Sequence, residues 1–108
     1  MNMQELTSRS EEVAELLKAM SNSHRLLILC ELSNGERSVS ALEEIVGLSQ
    51  SALSQHLARL RESGIVATRR DAQTIYYSLA DTRVATLMST LYTLFCAPSK
   101  TKLPRSNK

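Results

Sequence analysis

Residues 49–60 read SQSALSQHLARL, which combines one apolar side with one polar side. On a helical period of 3.6 residues, Leu53, Leu57 and Leu60 fall together. The opposite side carries small and polar residues, namely Ser51, Ser54, Gln55 and Ala58. Such side chains can enter the major groove of DNA and hydrogen-bond to base edges. The stretch therefore predicts a DNA-recognition helix.

The ends and edge of this helix also point to DNA. Ser49 is the predicted N-cap, because its side chain can accept a hydrogen bond from a free N–H of the first turn. Arg59 and Arg61 lie on the flanks, within reach of phosphates. We expect His56, at the edge of the leucine side, to be half-buried with one hydrogen bond. The predicted DNA-binding residues of the helix are Ser49, Gln50, Ser51, Ser54, Gln55, His56 and Arg59.

Three helices are predicted before residue 49. The first, over about residues 5–20, has an apolar stripe that needs a partner, and the second, over about 24–33, is apolar nearly all round. Ser38 can cap a short third helix, which Gly47 ends. Its expected inward residues are Val39, Leu42, Ile45 and Val46. The third and fourth helices, joined by this glycine-containing turn, make a helix-turn-helix.

After Gly64 the pattern changes to one typical of strands. Residues 65–70 and 74–79 predict a hairpin, or wing, whose tip carries Arg69, Arg70 and Gln73 for phosphates or an adjacent minor groove. A last helix is predicted to begin near Asp81 or Thr82. Its apolar stripe is expected to pack against a second copy of the chain, and consists of Val84, Leu87, Met88, Leu91, Leu94 and Phe95.

The predicted fold is mainly α: a winged helix-turn-helix with five helices and a two-stranded hairpin, forming a homodimer. Its domain is residues 1–97, and residues 98–108 are expected to form a disordered basic tail. At 108 residues with 43% hydrophobic residues, the chain can build one modest core. No apolar run is long enough to span a membrane and no secretory signal is visible, so a cytoplasmic protein is expected.

Charge is divided unevenly along the chain. Residues 1–48 hold 4 basic and 8 acidic side chains, whereas residues 49–108 hold 9 basic and 3 acidic ones. The positive part begins at the predicted recognition helix, which favours a nucleic-acid partner over a membrane. No nucleophile, base and orienting group form a motif, and no glycine-rich phosphate loop occurs, so an enzyme is not expected. A winged helix that binds only protein would not need the glutamines and serines of the fourth helix.

Several blocks along about residues 13–96 resemble the ArsR/SmtB family of bacterial winged-helix repressors. They are LKAM at 17–20, HRLLIL at 24–29, LSQS at 48–51, SQHL at 54–57 and LRESGIV at 60–66. The resemblance implies a homodimer formed by the first and last helices. It also implies binding to a partly palindromic double-stranded operator, which is released when an inducer is sensed.

The metal sites of that family do not match this chain. Where the family has Cys-x-Cys in its third helix, residues 41–45 read ALEEI, and where it has Asp-x-His in its last helix, residues 81–83 read DTR. Zinc and softer ions need converging His or Cys ligands. No metal and no cofactor are therefore expected.

Cys30 and Cys96 are the only cysteines. In a reducing cytosol, two thiols are more often free, reactive or metal-binding than joined in a permanent disulfide. Their arrangement resembles that of dithiol members of the family, in which a polysulfide or disulfide bridge lowers DNA affinity. The resemblance implies a sensing pair that controls sulfide or reactive-sulfur genes, with sulfane sulfur or an oxidant as inducer. The alternatives are a general thiol-redox regulator of virulence or oxidative-stress genes, including one that displaces a silencing protein, or two buried packing residues.

Overall fold

The computed structural model describes residues 1–96, which form five helices and three strands. They are α1 (Met3–Met20), α2 (Ser23–Leu32), β1 (Arg37–Ser38), α3 (Val39–Val46), α4 (Gln50–Glu62), β2 (Val66–Asp71), β3 (Thr74–Leu79) and α5 (Thr82–Phe95). The predicted winged helix-turn-helix is confirmed. The predicted tail at residues 98–108 lies outside the described residues. No helix described here is long and apolar enough to cross a membrane.

Side-chain caps fix where the two helices of the helix-turn-helix begin. The Ser38 hydroxyl accepts a hydrogen bond from the Ala41 N–H at 3.1 Å, and the Ser49 hydroxyl accepts one from the Ala52 N–H at 3.2 Å. Between them, Gly47 ends α3 with a φ of 76°, a left-handed conformation that glycine adopts at little cost. The predicted caps and the turn are confirmed, and they position α4 against the rest of the domain.

The wing has one strand more than predicted. β2 and β3 form the expected antiparallel hairpin, and β1 pairs with the other edge of β3, placing Arg37 opposite Tyr77. The strand order is β1-β3-β2. The predicted two-stranded hairpin is confirmed, and the additional strand β1 was not predicted because a strand of two residues has no alternation to detect. β1 joins the wing to the N-terminus of α3.

The core is built from the apolar sides of the helices and the start of the wing. Leu53, Leu57 and Leu60 of α4 are at most 2% exposed, as the leucine spacing predicts. On α3, Leu42 is fully buried but Ile45 is 51% exposed, so the expectation that Ile45 faces inward is wrong. Ile45 lies roughly 100° round the helix from Val46. On a helix of two turns, that is enough to leave the core.

The first and last helices are incompletely covered within one chain. Leu6, Val13 and Leu17 of α1 are 38–49% exposed, and Leu94 and Phe95 of α5 are 57% and 78% exposed. Large apolar side chains grouped on two helices are typical of a surface that contacts another molecule. The predicted need of α1 for a partner therefore persists in the folded chain.

Candidate nucleic-acid interface

The polar side of α4 faces solvent along its length. Gln50, Ser51, Ser54, Gln55 and Arg59 are all exposed, and so is the cap residue Ser49. The helix is held from behind by its three buried leucines, so the polar side chains project from a fixed support. Glutamine and serine so placed have free donors and acceptors for base edges.

A cleft of about 550 Å³ separates α4 from the wing. On the α4 side it is lined by Gln50, Ser54, Ala58 and Arg61, which are spaced four, four and three residues apart. Ile75 and Tyr77 line the wing side. Among the α4 residues predicted to bind DNA, Gln50 and Ser54 therefore border the cleft. Arg61 also borders the cleft, and its position three residues after Ala58 is the sequence signal that places it on this side of the helix.

The wing carries its two predicted arginines in different environments. Arg69 donates two hydrogen bonds to the Glu36 carboxylate, at 2.7 and 3.0 Å, and its guanidinium lies 4.5 Å from the ring centroid of Tyr76. The hydrogen bond from Arg69 lowers the pKa of Glu36. Arg70 and Gln73 are exposed near the two-residue turn. Arg69 is thus held by an ion pair. Arg70, the other arginine of the wing tip, takes part in no ion pair within residues 1–96.

His56 faces the interior side of α4. It is half-buried, as expected, and its Nδ1 lies 3.3 Å from Nη1 of Arg25 in α2. Burial lowers the pKa of His56, and the positive charge of Arg25 and the neighbouring His24 lower it further. The ring of His56 therefore contacts α2, although the sequence groups it with DNA-binding residues. Arg25 was not predicted as a functional residue, since only the fold brings it to α4.

Apart from Arg69, the arginines near this surface are not paired with carboxylates in the described part of the chain. Among residues 1–96, no ion pair within 4.0 Å includes Arg25, Arg59, Arg61 or Arg70. Several carboxylates, by contrast, are paired: Glu31 with Arg37, Glu36 with Arg69, and Glu12 and Asp81 with Arg83. Unpaired arginines beside an exposed polar helix suit a polyanion such as DNA.

One of the two cysteines, Cys30, lies in a groove between α2 and α5, and the other, Cys96, directly follows α5. Cys30 is half-buried and free, and it lines this groove of about 420 Å³ together with Ala85, Ser89 and Tyr92 of α5. Cys96 is free and exposed, and its N–H donates to the Tyr92 carbonyl at 2.8 Å. Positions 85, 89, 92 and 96 follow one side of α5 at helical spacing. Within one chain, Cys96 is therefore not a buried packing residue.

No group of three or more His, Cys, Asp or Glu side chains in residues 1–96 is placed to hold a metal ion. At the last-helix position considered above, Arg83 occupies the space beside Asp81. Its Nη2 lies 2.7 Å from Oδ2 of Asp81, and its Nη1 lies 3.0 Å from Oε2 of Glu12.

Comparisons with known proteins agree with this geometry. Residues 22–68 match the family described as bacterial regulatory protein, arsR family. The chain is 47% identical over 100 residues to the biofilm growth-associated repressor of Xylella fastidiosa, covering 93% of this chain and 88% of that protein. It is 50% identical over 96 residues to the transcriptional activator HlyU of Vibrio cholerae, covering 89% of each.

Solved structures extend the likeness to the whole fold. The transcriptional repressor BigR from Xylella fastidiosa superposes with a TM-score of 0.85 at 47% identity, covering 91% of this chain and 100% of that one. Reduced HlyU from Vibrio cholerae superposes with a TM-score of 0.83 at 48% identity, covering 88% and 100%. Both similar structures are of transcriptional regulators.

Proposed function

The chain belongs to the ArsR family of bacterial regulatory proteins, and we propose that it acts there as a homodimeric repressor gated by its two thiols. It is a DNA-binding transcriptional regulator and not an enzyme. When Cys30 and Cys96 are reduced, the dimer binds its operator. When a sulfur bridge joins the two cysteines, the dimer releases the operator. The regulated genes serve the response to sulfide or reactive sulfur. The observation that carries this proposal is the groove that brings Cys30 towards the side of α5 that ends at Cys96.

The proposed DNA contacts fall into two groups. Ser51, Gln55 and Arg59 lie on the outer side of α4, where they enter the major groove, with Ser49, Gln50 and Ser54 near the N-terminal end. Arg70 and Gln73, at the wing tip, contact the DNA phosphates or the adjacent minor groove. Arg69 contributes to phosphate binding only if it leaves Glu36, so its contribution is smaller than that of Arg70.

The proposed homodimer is supported by the exposed apolar residues of α1 and α5. A two-fold pairing through these helices covers both surfaces at once, since each copy offers the same residues to the other. It also presents two copies of α4 to half-sites about one DNA turn apart. The distance between the two copies of α4 then decides whether both half-sites are filled.

The proposed bridge forms in two displacement steps. The thiolate of Cys96, the more exposed cysteine, attacks a terminal sulfur of a polysulfide and becomes a persulfide, while the shortened polysulfide leaves with the electron pair. The thiolate of Cys30 then attacks Sγ of Cys96, a disulfide forms and hydrosulfide leaves. The polysulfide is the oxidant, because its sulfur leaves with the two electrons that the thiols lose. Both thiol protons pass to water.

The bridge acts on DNA binding through the helices that it joins. α2 packs against α4, and α5 carries part of the proposed dimer surface. Drawing the end of α5 towards α2 alters how the two protomers meet. Half-sites at a fixed spacing tolerate little change in the separation of the recognition helices.

A second candidate function is a general thiol-redox regulator of virulence or oxidative-stress genes, including one that activates by displacing a silencing protein. The similar protein from Vibrio cholerae is named a transcriptional activator, and its solved structure is that of the reduced form. The same thiols and the same fold serve this candidate. It differs in accepting peroxide as readily as polysulfide.

The deciding experiment is an anaerobic titration of the protein onto its own promoter DNA, read by fluorescence anisotropy before and after polysulfide or peroxide. Intact mass identifies the modification in each sample. We expect release after polysulfide, with a mass that fits a bridge between the thiols. Release by peroxide to the same extent would favour the second candidate, and release with both thiols unmodified would reject the thiol gate.

The matched variants are Cys30→Ser and Cys96→Ser, each of which replaces one sulfur by oxygen at nearly constant shape. Both are expected to bind the promoter as tightly as the wild type and to remain bound after polysulfide. Release of either variant by polysulfide would contradict the two-thiol mechanism, because one thiol cannot form the bridge.

A further inference from the structure

Three helices converge on the guanidinium of Arg25. Its Nε donates to the carbonyl oxygen of Ala19, in the last turn of α1, at 2.6 Å. Its Nη1 lies 3.3 Å from Nδ1 of His56, in the middle of α4. Arg25 itself belongs to the first turn of α2, where the Asn22 side chain accepts from its backbone N–H at 3.1 Å. One side chain thus joins the end of α1 and the start of α2 to the recognition helix.

This contact exists only when Nδ1 of His56 carries no proton. Arginine is a donor and never an acceptor, so Nδ1 must be the acceptor of the Arg25 N–H. Protonation of His56 removes that acceptor and places an imidazolium beside a guanidinium. The pKa of His56 is lowered by its burial and then by Arg25 and His24, so the surroundings favour the neutral ring.

The titratable groups that act on His56 are basic. From α2 come Arg25 and His24, whose ring centroid lies 5.8 Å from that of His56. Arg59 lies one turn further along α4. The pKa of Arg25 is lowered first by the burial of Arg25 and second by the positive charge of Arg59. α1 contributes the Ala19 carbonyl. No ion pair within residues 1–96 includes any of these side chains, so no described carboxylate compensates a proton added to His56.

We propose that Arg25 is a positioning residue for the recognition helix and that mild acid, by protonating His56, lowers the preference of the protein for operator over random DNA. This inference rests on the proposed DNA contacts of α4 and is independent of the thiol gate. Gln55 immediately precedes His56 in α4, so a shift of His56 moves a proposed base contact directly. Base reading requires side chains in register with base edges, whereas phosphate binding tolerates displacement.

Operator and random DNA therefore respond differently to pH. If the operator complex requires neutral His56, each pH unit below the pKa of the free protein costs up to about tenfold in affinity for each protomer, since the proton competes with the complex. Random DNA responds to charge alone, and protonation adds positive charge beside Arg59. The ratio of the two affinities thus falls on acidification even where total binding does not.

The test uses the reduced full-length chain, without polysulfide, from pH 8 to pH 5.5 at constant ionic strength. Wild-type protein first selects duplexes from a randomised pool at pH 7.5. Affinity is then measured for the best selected duplex and for its scrambled counterpart. The variant His56→Asn keeps a carbonyl acceptor close to the position of Nδ1 and does not titrate. The matched control is His24→Asn, since the chain has only these two histidines.

For the wild type and for His24→Asn, we expect the affinity ratio to fall between pH 7.5 and 5.5, by up to about tenfold for each protomer of the dimer. For His56→Asn we expect a ratio close to that of the wild type at pH 7.5 and little change below it. Arg25→Met should show a lowered ratio at every pH, with circular dichroism confirming that it folds.

Two results would overturn the proposal and are distinguishable. A fall in the ratio of the same size in His56→Asn would reject the role of His56 while leaving the proposed DNA contacts intact. A pool from which no sequence is enriched at pH 7.5 would reject sequence reading by α4, and the inference would fail with it.

Discussion

Helices α4 and α5 are both amphipathic, yet only α4 finds all its apolar partners within its own chain. Leu53, Leu57 and Leu60 of α4 are at most 2% exposed. On α5, Val84 is fully buried, but Leu94 and Phe95, almost two turns after Met88, are more than half exposed. The apolar side of α5 thus begins in the core and ends at the surface.

This difference separates two kinds of amphipathic helix. In α4 the apolar side packs in the core and fixes the helix, and the polar side stays exposed to contact DNA. In α5 the part available to another molecule is instead the exposed apolar end. Burying an average large apolar side chain stabilises by about 1.5–3 kcal/mol, so an uncovered end favours association strongly.

The largest expected effect comes from breaking the anchorage of α4. Leu57→Ala removes a fully enclosed side chain, so the free energy of unfolding should fall by about 3 kcal/mol. Chemical denaturation at fixed protein concentration measures it. Gln55→Ala, two residues away on the exposed side, should change stability by less than about 0.5 kcal/mol. Equal destabilisation by both would mean that the two sides of α4 do not differ in role.

The next effect concerns the uncovered end of α5. Phe95→Ala should raise the dissociation constant of the dimer at least about tenfold, because each copy loses an apolar contact. Sedimentation equilibrium measures the constant. Ile45→Ala is the matched control, since Ile45 is a large apolar residue, 51% exposed, on α3. A dimer weakened equally by both substitutions would contradict the assignment of this end of α5 as the contact surface.

A smaller effect tests the polar side of α4. Gln55→Ala should weaken operator binding about tenfold and leave binding to random DNA unchanged, because a base contact is lost. Arg70→Ala, at the wing tip, should weaken both and reduce the salt dependence by about one ion for each protomer. Anisotropy titrations at several salt concentrations separate the two patterns. Equal losses on random DNA for Gln55→Ala would show that it does not read bases.

The contrast between the helices also marks what the sequence can predict. The leucine side of α4 and the caps Ser38 and Ser49 follow from local spacing, and all are confirmed. Strand β1 escapes prediction because two residues carry no period. Ile45 shows that a short helix does not specify its inward side to within one residue.

Side-chain pairings between residues that only the fold brings together could not be predicted from the sequence. Arg69 looks like a free wing cation until Glu36, far away along the chain, is found to accept two hydrogen bonds from it. The contact between Arg25 and His56 likewise joins residues 31 positions apart. The predicted DNA-binding set, the domain limits at residue 97 and the pairing of the thiols stay predictions.

The smallest expected effect concerns the ion pair of Glu12 with Arg83, which links α1 to α5. Hydrogen bonds from Arg9 and then Arg83 lower the pKa of Glu12 to about 2. A carboxyl whose pKa is lowered by folding stabilises the protein above its unfolded value of about 4.3, and the stabilisation is lost as the pH falls from about 5 towards 2. The melting temperature of Glu12→Gln should therefore lie below that of the wild type at pH 7.

That difference in melting temperature should shrink on acidification, and it should be small throughout, because exposed ion pairs are screened by solvent. Glu11→Gln is the control, as Glu11 is an exposed neighbour outside the ion pairs of residues 1–96. A difference that stayed constant down to pH 3 would show that the charge of Glu12 is not what links the helices.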